Sequence, residues 1–278
     1  MPVNRFKSSL VNSTSSQQPK KINRLKRGYY RQGPDYRNNR DMNFAEIRKA
    51  FGFRSIQVGR WVTEQEQQIA ANLIYDALMD LAEILRVPPQ ILSLRGSLSL
   101  AFGTGGQKYV QAHYDMRKRE LALAKNAGGG ALAHEWFHAF DHYINDKIFQ
   151  LPKEKFASNS WLYNKEPVSH PLNQKLAQFF KTIFLAEDGR QPSPYLKTNT
   201  LIDQKLKQYY FAMPEELAAR AFESVIQDHE IKNAYLVSGT KKSEQAELGI
   251  FPKAKHRVDL ACACYDYFNL LGKLVLNQ

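Results

Sequence analysis

The sequence predicts an α+β fold: a small antiparallel or mixed sheet beside a histidine-bearing helix, followed by a mainly helical C-terminal half. Three patterns carry that reading. Residues 63–85 repeat apolar side chains at helical spacing. Residues 91–124 hold short stretches that alternate with period two. From residue 131 onward the apolar spacing is helical again.

The elements follow in order. Thr63 and Glu66 form a capping box, and Ile69, Leu73, Ala77, Leu78, Leu81 and Leu85 make the apolar stripe of a helix that stops before Pro88-Pro89. Residues 91–102, 108–114 and 120–124 read as three antiparallel strands, the last two joined by a hairpin at 115–118. A glycine-rich stretch at 126–130 leads into a helix over 131–148. Residues 149–196 are rich in proline and carry one helical stretch, 172–187. Pro214 suits the first position of a helix that continues to about residue 227. Residues 239–255 read as a polar loop and 258–275 as a closing apolar helix.

Composition excludes several classes. The chain has 278 residues, 43% apolar and 12% aromatic, enough for a core and against wholesale disorder. No run approaches the roughly 20 apolar residues of a membrane helix. The first residues show no apolar stretch of a secretory signal. Cys262 and Cys264, two apart, suit neither a disulfide nor a full metal site. A cytoplasmic protein without membrane contact is the expectation. Charge is uneven: of a net +12, residues 1–40 carry ten basic residues and one acid, or +9, leaving +3 for residues 41–278. The expected organisation is therefore a basic, disordered tail over 1–40 and one domain over 41–278, with halves at 41–148 and 149–278. Such a tail, with Tyr29, Tyr30 and Tyr36 among its arginines, makes nucleic acid a candidate partner; the plain alternative is a solubilising leader.

The chemistry centres on His134-Glu135-Trp136-Phe137-His138. Residues four apart on a helix differ by about 40° after one full turn, so His134 and His138 face the same way and can share a zinc ion. Glu135, about 100° round from His134, is placed to act as a general base toward water at that ion. The apolar face of this helix (Ala133, Trp136, Phe137, Phe140, Ile144) lies apart from the histidines. Asp141 falls on the metal side, where it can hold a histidine's second ring nitrogen, and His142 falls beside Glu135, where it can orient it. A third protein ligand is needed. Glu215, Glu216, Glu223, His113, His170 and His229 are candidates, with the 213–223 segment favoured because Ala218, Ala219 and Ala221 allow close helix approach. Periodicity places Glu215 nearer the apolar stripe and does not separate it from Glu216. Tyr210, His113 and Arg95 are candidate donors to a developing oxyanion.

The segments Ser93 to Gly103, Ala112-His-Tyr114 and Ala124 to Asp141 resemble the CLCA_X family, named for the metallopeptidase-like domain of chloride channel accessory proteins. They also resemble the first type of large polyvalent protein-associated domain, found in proteins of phages and conjugative elements. The resemblance spans roughly residues 28–278 and implies a zincin-type zinc metallopeptidase in which Glu216, within Glu216 to Glu223, is the third ligand beside His134 and His138. The run His-Glu-Trp-Phe-His-Ala-Phe-Asp is similar to the neprilysin-type motif, but Arg220 stands where that type has an aspartate. The expected function is hydrolysis of a peptide or protein laid along the sheet edge, with Glu135 as base. A zinc-stabilised, non-catalytic module associated with nucleic acid is the alternative, and a hybrid joins the two.

Overall fold

The computed structural model describes residues 24–26, 28–105, 111–125, 129–150, 152, 154–163 and 165–277. A two-residue strand, β1 (Arg31–Gln32), precedes α1 (Phe44–Phe51), which Asn43 and Glu46 cap reciprocally. Then come β2 (Ile56–Val58) and α2 (Glu64–Leu85), whose Thr63–Glu66 capping box is formed as expected. Strands β3 (Ser99–Phe102), β4 (Ala112–Asp115) and β5 (Glu120–Leu123) lead to α3 (Leu132–Ile148). The rest is mainly helical: α4 (Ala157–Leu162), α5 (Pro171–Phe184), α6 (Pro194–Leu206), α7 (Pro214–Asp228), the short strand β6 (Lys232–Asn233), α8 (Glu244–Leu248) and α9 (Lys255–Leu276). None of the helices among the described residues is long and apolar enough to cross a membrane.

The main sheet has the order β2–β3–β5–β4 and is mixed. The three strands expected from sequence are present in part, but they are not all antiparallel. Only β4 and β5 pair that way; β3 runs parallel to both β2 and β5. The hairpin folds back so that β5 enters between β3 and β4, which leaves β4 at the edge. Residues 91–98 are not strand. A 3₁₀ turn covers Pro89–Ser93, and Leu94, Arg95 and Gly96 follow with φ of 54°, 57° and 73°. Leu92, Leu94 and Leu98 are buried from this left-handed turn, and their spacing imitated a strand. Residues 106–110, part of the second expected strand, lie outside the described residues.

The core forms where α3, α7 and α9 meet. Phe137 stacks on Phe222 with centroids 4.8 Å apart, and Trp136 packs against Phe140, Phe222 and Phe268. The Trp136 indole N–H donates to Leu92 O at 2.9 Å, so the deepest polar atom of that cluster is satisfied.

The expected tail is partly built into the body. β1 pairs with β6, and the Arg31 guanidinium donates to both oxygens of Asp80, which is fully buried (2.7 and 2.8 Å). Asn233 Nδ2 donates to the same carboxylate at 2.7 Å, and Arg37 pairs with Asp76 at 2.9 Å. Tyr29 packs on Tyr235 edge to face. Arg31 and Arg37 are thus occupied structurally, because α2 carries buried acids that require partners, and Lys26 donates to Gln65 of the same helix. Residues 1–23 and 27 of that tail lie outside the described residues.

Two outcomes follow. Asp80→Ala leaves Arg31 and Asn233 without their acceptor and is expected to lower stability by about 3 kcal/mol, the low end for a broken buried pair because Arg31 keeps some solvent contact. Urea unfolding measures it, and an unchanged midpoint would show that 28–40 is held by backbone pairing alone. Near the sheet, Lys125 Nζ donates to Glu66 Oε2 at 2.6 Å. That bond, with the Thr63 N–H, holds the Glu66 carboxyl at about 2 against an ordinary 4.5. Because the folded value is depressed, the stabilisation is complete above pH 4.5 and is lost as the pH falls through 2. Acid unfolding of Lys125→Met should show a shallower fall across that window than the wild type.

Candidate metal centre

The histidine helix starts where glycine is required. A Cβ on Gly130, whose φ is +111°, would lie 2.2 Å from Ser238 Oγ, and one on Gly129 would lie 2.3 Å from the Tyr235 ring. That close approach lets Ala133 N–H donate to Leu236 O at 3.1 Å, which satisfies a free donor of the first turn of α3. α7 lies against α3, with Phe222 packed on Trp136 and Phe137 and the small Ala219 on the same side, fully buried. Across this contact the His134–His138 face meets the Glu216–Glu223 face, two positions seven apart and therefore nearly aligned on α7.

His134, His138 and Glu216 form a triangle of donor atoms. The two Nε2 atoms are 3.1 Å apart, His134 Nε2 lies 3.5 Å from Glu216 Oε2, and His138 Nε2 lies 3.6 Å from Glu216 Oε1. The last two are long for charge-assisted hydrogen bonds, which run about 2.7–2.9 Å. They end on different Glu216 oxygens, and both are near the roughly 3.3 Å that separates two donors each about 2.0–2.1 Å from one zinc ion. Glu216 Oε2 is buried without a hydrogen-bond partner. The group meets the geometric requirement for holding a metal ion, and its imidazole and carboxylate donors suit zinc.

Glu223 approaches the outer nitrogen of His134. Nδ1 and Glu223 Oε2 are 3.2 Å apart, so Nδ1 pairs with the carboxylate and Nε2 is the nitrogen turned toward Glu216 and His138. Burial disfavours a charge on His134, but Glu216 and Glu223 outweigh it and raise its pKa to about 10. Burial likewise opposes ionisation of Glu216, and the two histidines overcome this and hold its carboxyl well below the ordinary range.

Glu135 reaches in the other direction. In β4 the backbone groups of Gln111 and His113 face β5, so those of Tyr114 point outward from the sheet. Glu135 Oε2 accepts the Tyr114 N–H at 2.8 Å. Burial raises the Glu135 pKa, with the histidines and this N–H pulling it down. A carboxylate that readily takes up a proton thus lies beside two imidazoles.

The other expected residues take different places. His142 does not bind Glu135; its Nδ1 lies 2.8 Å from the Tyr114 hydroxyl, so it contacts the residue that holds Glu135. Asp141 does not hold a histidine; it accepts the Ser158 N–H and Oγ–H (2.9 and 2.6 Å), and burial lifts its pKa to about 7. Glu215 lies outside the triangle. His113 is exposed on β4, His170 caps α5, and His229 ends α7 and accepts Ile231 N–H. Arg95 is exposed, whereas Tyr210 lies at the site, where burial and the Glu216 charge raise its pKa. Arg220 is buried, with Nη1 3.7 Å from Glu216 Oε2 and its guanidinium over the Tyr210 and Phe211 rings.

A cavity of about 250 Å³ opens beside His134, bordered by Gln111, Tyr210, Arg220, Glu223, Ser238 and Phe251. A larger one, about 1000 Å³, lies among α5, α6 and the start of α9 and touches none of the donors.

An α+β protein with a buried His–His–Glu group between two helices is the class that fold and site define. Within it, residues 202–275 match the model of large polyvalent protein-associated domain 1. The matched span covers α7 to α9, and so includes Glu216, Arg220 and Glu223; the histidines of α3 precede it. No curated protein and no solved structure matches the chain.

The two adjacent glutamates make opposite expectations measurable. Glu216→Ala should abolish tight zinc binding in a chelator competition, whereas Glu215→Ala should retain it. Glu223→Gln should weaken it by about 10- to 100-fold, the usual effect of losing a histidine's orienting carboxylate. Equal affinities for Glu216→Ala and wild type would remove Glu216 from the donor set.

Proposed function

We propose that the chain is a zincin-like, zinc-dependent peptidase, with His134, His138 and Glu216 as ligands and Glu135 as general base. The observation that carries the reading is the juxtaposition of the His134–His138–Glu216 donor group with a part-buried carboxylate, Glu135, that forms no ion pair among the described residues. Zinc bound there supplies Lewis-acid polarisation of the scissile carbonyl and acidifies water.

The chain's own groups do the rest. The Glu135 carboxylate takes the proton of the attacking water and returns it to the leaving amine. Burial favours its protonated form and so keeps that return step available. Glu223 fixes the His134 tautomer, so Nε2 presents a lone pair to the metal and not a hydrogen. Tyr210, beside Glu216, is the side chain we assign as donor to the developing oxyanion; its raised pKa keeps its proton on the hydroxyl. The outer edge of β4 offers the backbone groups of Ala112 and Tyr114 to an extended peptide, with the Tyr114 N–H shared with Glu135.

The decisive variant is Glu135→Gln. It should bind zinc as the wild type does and lose about 10²- to 10⁴-fold in cleavage of a peptide library, because glutamine cannot accept the proton. Elemental analysis and product sequencing read the two properties separately. Full cleavage by this variant would sink the mechanism. Full zinc content in His134→Ala would sink the metal site.

A further inference from the structure

One face of the body gathers several cations. Residues 41–278 carry a net +3. The β4–β5 turn contributes Arg117, Lys118 and Arg119, all exposed. Ser99 N–H donates to Arg119 O at 2.9 Å, which sets this turn beside the loop that bears Arg95. Arg54 reaches the same turn: Nε donates to Ser99 Oγ at 2.9 Å and Nη2 donates to Lys118 O. Tyr114 ties the hairpin to the last turns of α3 through His142, and there Lys147 stacks on the Tyr143 ring at 3.9 Å. Tyr143 and Lys147 both lie in the field of Arg95 and Arg119. Six cations therefore share this face. With the acids Asp115, Glu120 and Asp146 among them, these six cations leave a local excess of +3.

Among the described residues Arg54, Arg95, Arg117, Arg119 and Lys147 form no salt bridge with an acid, and Lys118 meets Asp115 only at 3.9 Å. Arg54 and Lys147 are also held by hydrogen bonds, to Ser99 Oγ and Lys118 O and to Tyr143 O, whereas Arg95, Arg117 and Arg119 are exposed. Asp115, Glu120 and Asp146 offset only part of the repulsion among the six. Arg95 and Arg119 even sit on positive φ, 57° and 49°, so the backbone turns project them outward. We propose that this face binds the phosphodiester backbone of a nucleic acid. Four of its six cations are arginines, whose planar guanidinium takes a phosphate bidentately. Membrane attachment is disfavoured, since the three successive exposed side chains of the β4–β5 turn, Arg117, Lys118 and Arg119, are all charged, and insertion among lipids needs apolar ones. Phosphate contacts position a chain without reading bases, so the binding is tolerant of sequence. The inference is independent of the metal site.

The test uses the full chain and the Arg95→Gln/Arg117→Gln/Arg119→Gln variant, each titrated against a labelled DNA duplex at 50 and 200 mM salt, by anisotropy. The wild type should bind at the lower salt and weaken steeply at the higher. The variant should bind about tenfold or more weakly at 50 mM, with a slope of log affinity against log salt shallower by about 2.7, since each lost phosphate contact removes about 0.9. Thermal melting checks that it folds. If it does not, Arg117→Gln/Lys118→Gln, confined to the exposed turn, should reduce the slope by about 1.8. A wild-type slope in the folded variant, or no binding by the wild type at 50 mM, overturns the proposal. So does binding confined to phosphatidylserine vesicles.

Discussion

The contact between α3 and α7 is the constraint on which the rest of the molecule depends. A leucine at Ala219, which helical spacing places between Glu216 and Phe222 on the side of α7 that meets α3, would push the helices apart and draw Glu216 from His134 and His138. The separation is fixed on the opposite side by aromatic packing. Phe137, Trp136 and Phe222 fill the layer above the alanines, and Phe268 of α9 closes it. Truncating one such buried ring costs about 3–5 kcal/mol, so the spacing is enforced by the core and not by the polar site.

The site in turn places unusual demands on that core. Glu135, Glu216 and Glu223 lie largely out of water around one buried arginine and two histidines. Uncompensated carboxylates cost several kcal/mol each in such surroundings. In the absence of a bound cation the balance is reached by protonation, which is the physical content of the high His134 pKa. A divalent cation at the triangle would supply the same compensation and leave both imidazoles neutral. Proton and metal thus compete for one excess of negative charge.

How much of this was legible in the sequence depends on what kind of side chain each element buries. α2, α3, α5, α7 and α9 bury apolar stripes and were all read from spacing, as were the capping box at Thr63 and the pairing of His134 with His138. α6 was not, because its inward face is polar: Tyr195, Asn199 and Asp203 are buried at helical spacing, with the Tyr195 hydroxyl, Asn199 Nδ2 and both Asp203 oxygens hydrogen-bonded. Strand β2 and helices α1, α4 and α8 were too short to show a period. At the site, position alone left Glu215 and Glu216 open, and resemblance chose the one that the structure brings to the histidines. Glu223 was seen only as a candidate ligand. Its role toward His134 Nδ1 depends on the crossing of two helices, which a single helix's periodicity does not contain. Asp141 was misplaced for the converse reason, since Ser158 of α4 claims it.

The presence of an arginine at position 220, four residues after Glu216, then has a physical account. An acid there would add a further negative charge to a cluster already rich in them. Arg220 instead brings a positive charge near Glu216, and the orientation of His134 passes to Glu223, one turn further along the same face. Holding a guanidinium in that dry position requires a cage. Phe211 O accepts its Nη2–H, and the Tyr210 and Phe211 rings lie across it. The loop that supplies this cage is fixed by one residue: Asp203, at the end of α6, accepts the backbone N–H groups of Tyr210, Phe211 and Ala212 at 3.0, 3.0 and 2.8 Å. The polar face of α6 that hid it from hydrophobic periodicity is therefore the same feature that positions Tyr210 and Arg220 at the centre. Asp203 reaches the donor triangle through three successive contacts, and touches none of its members.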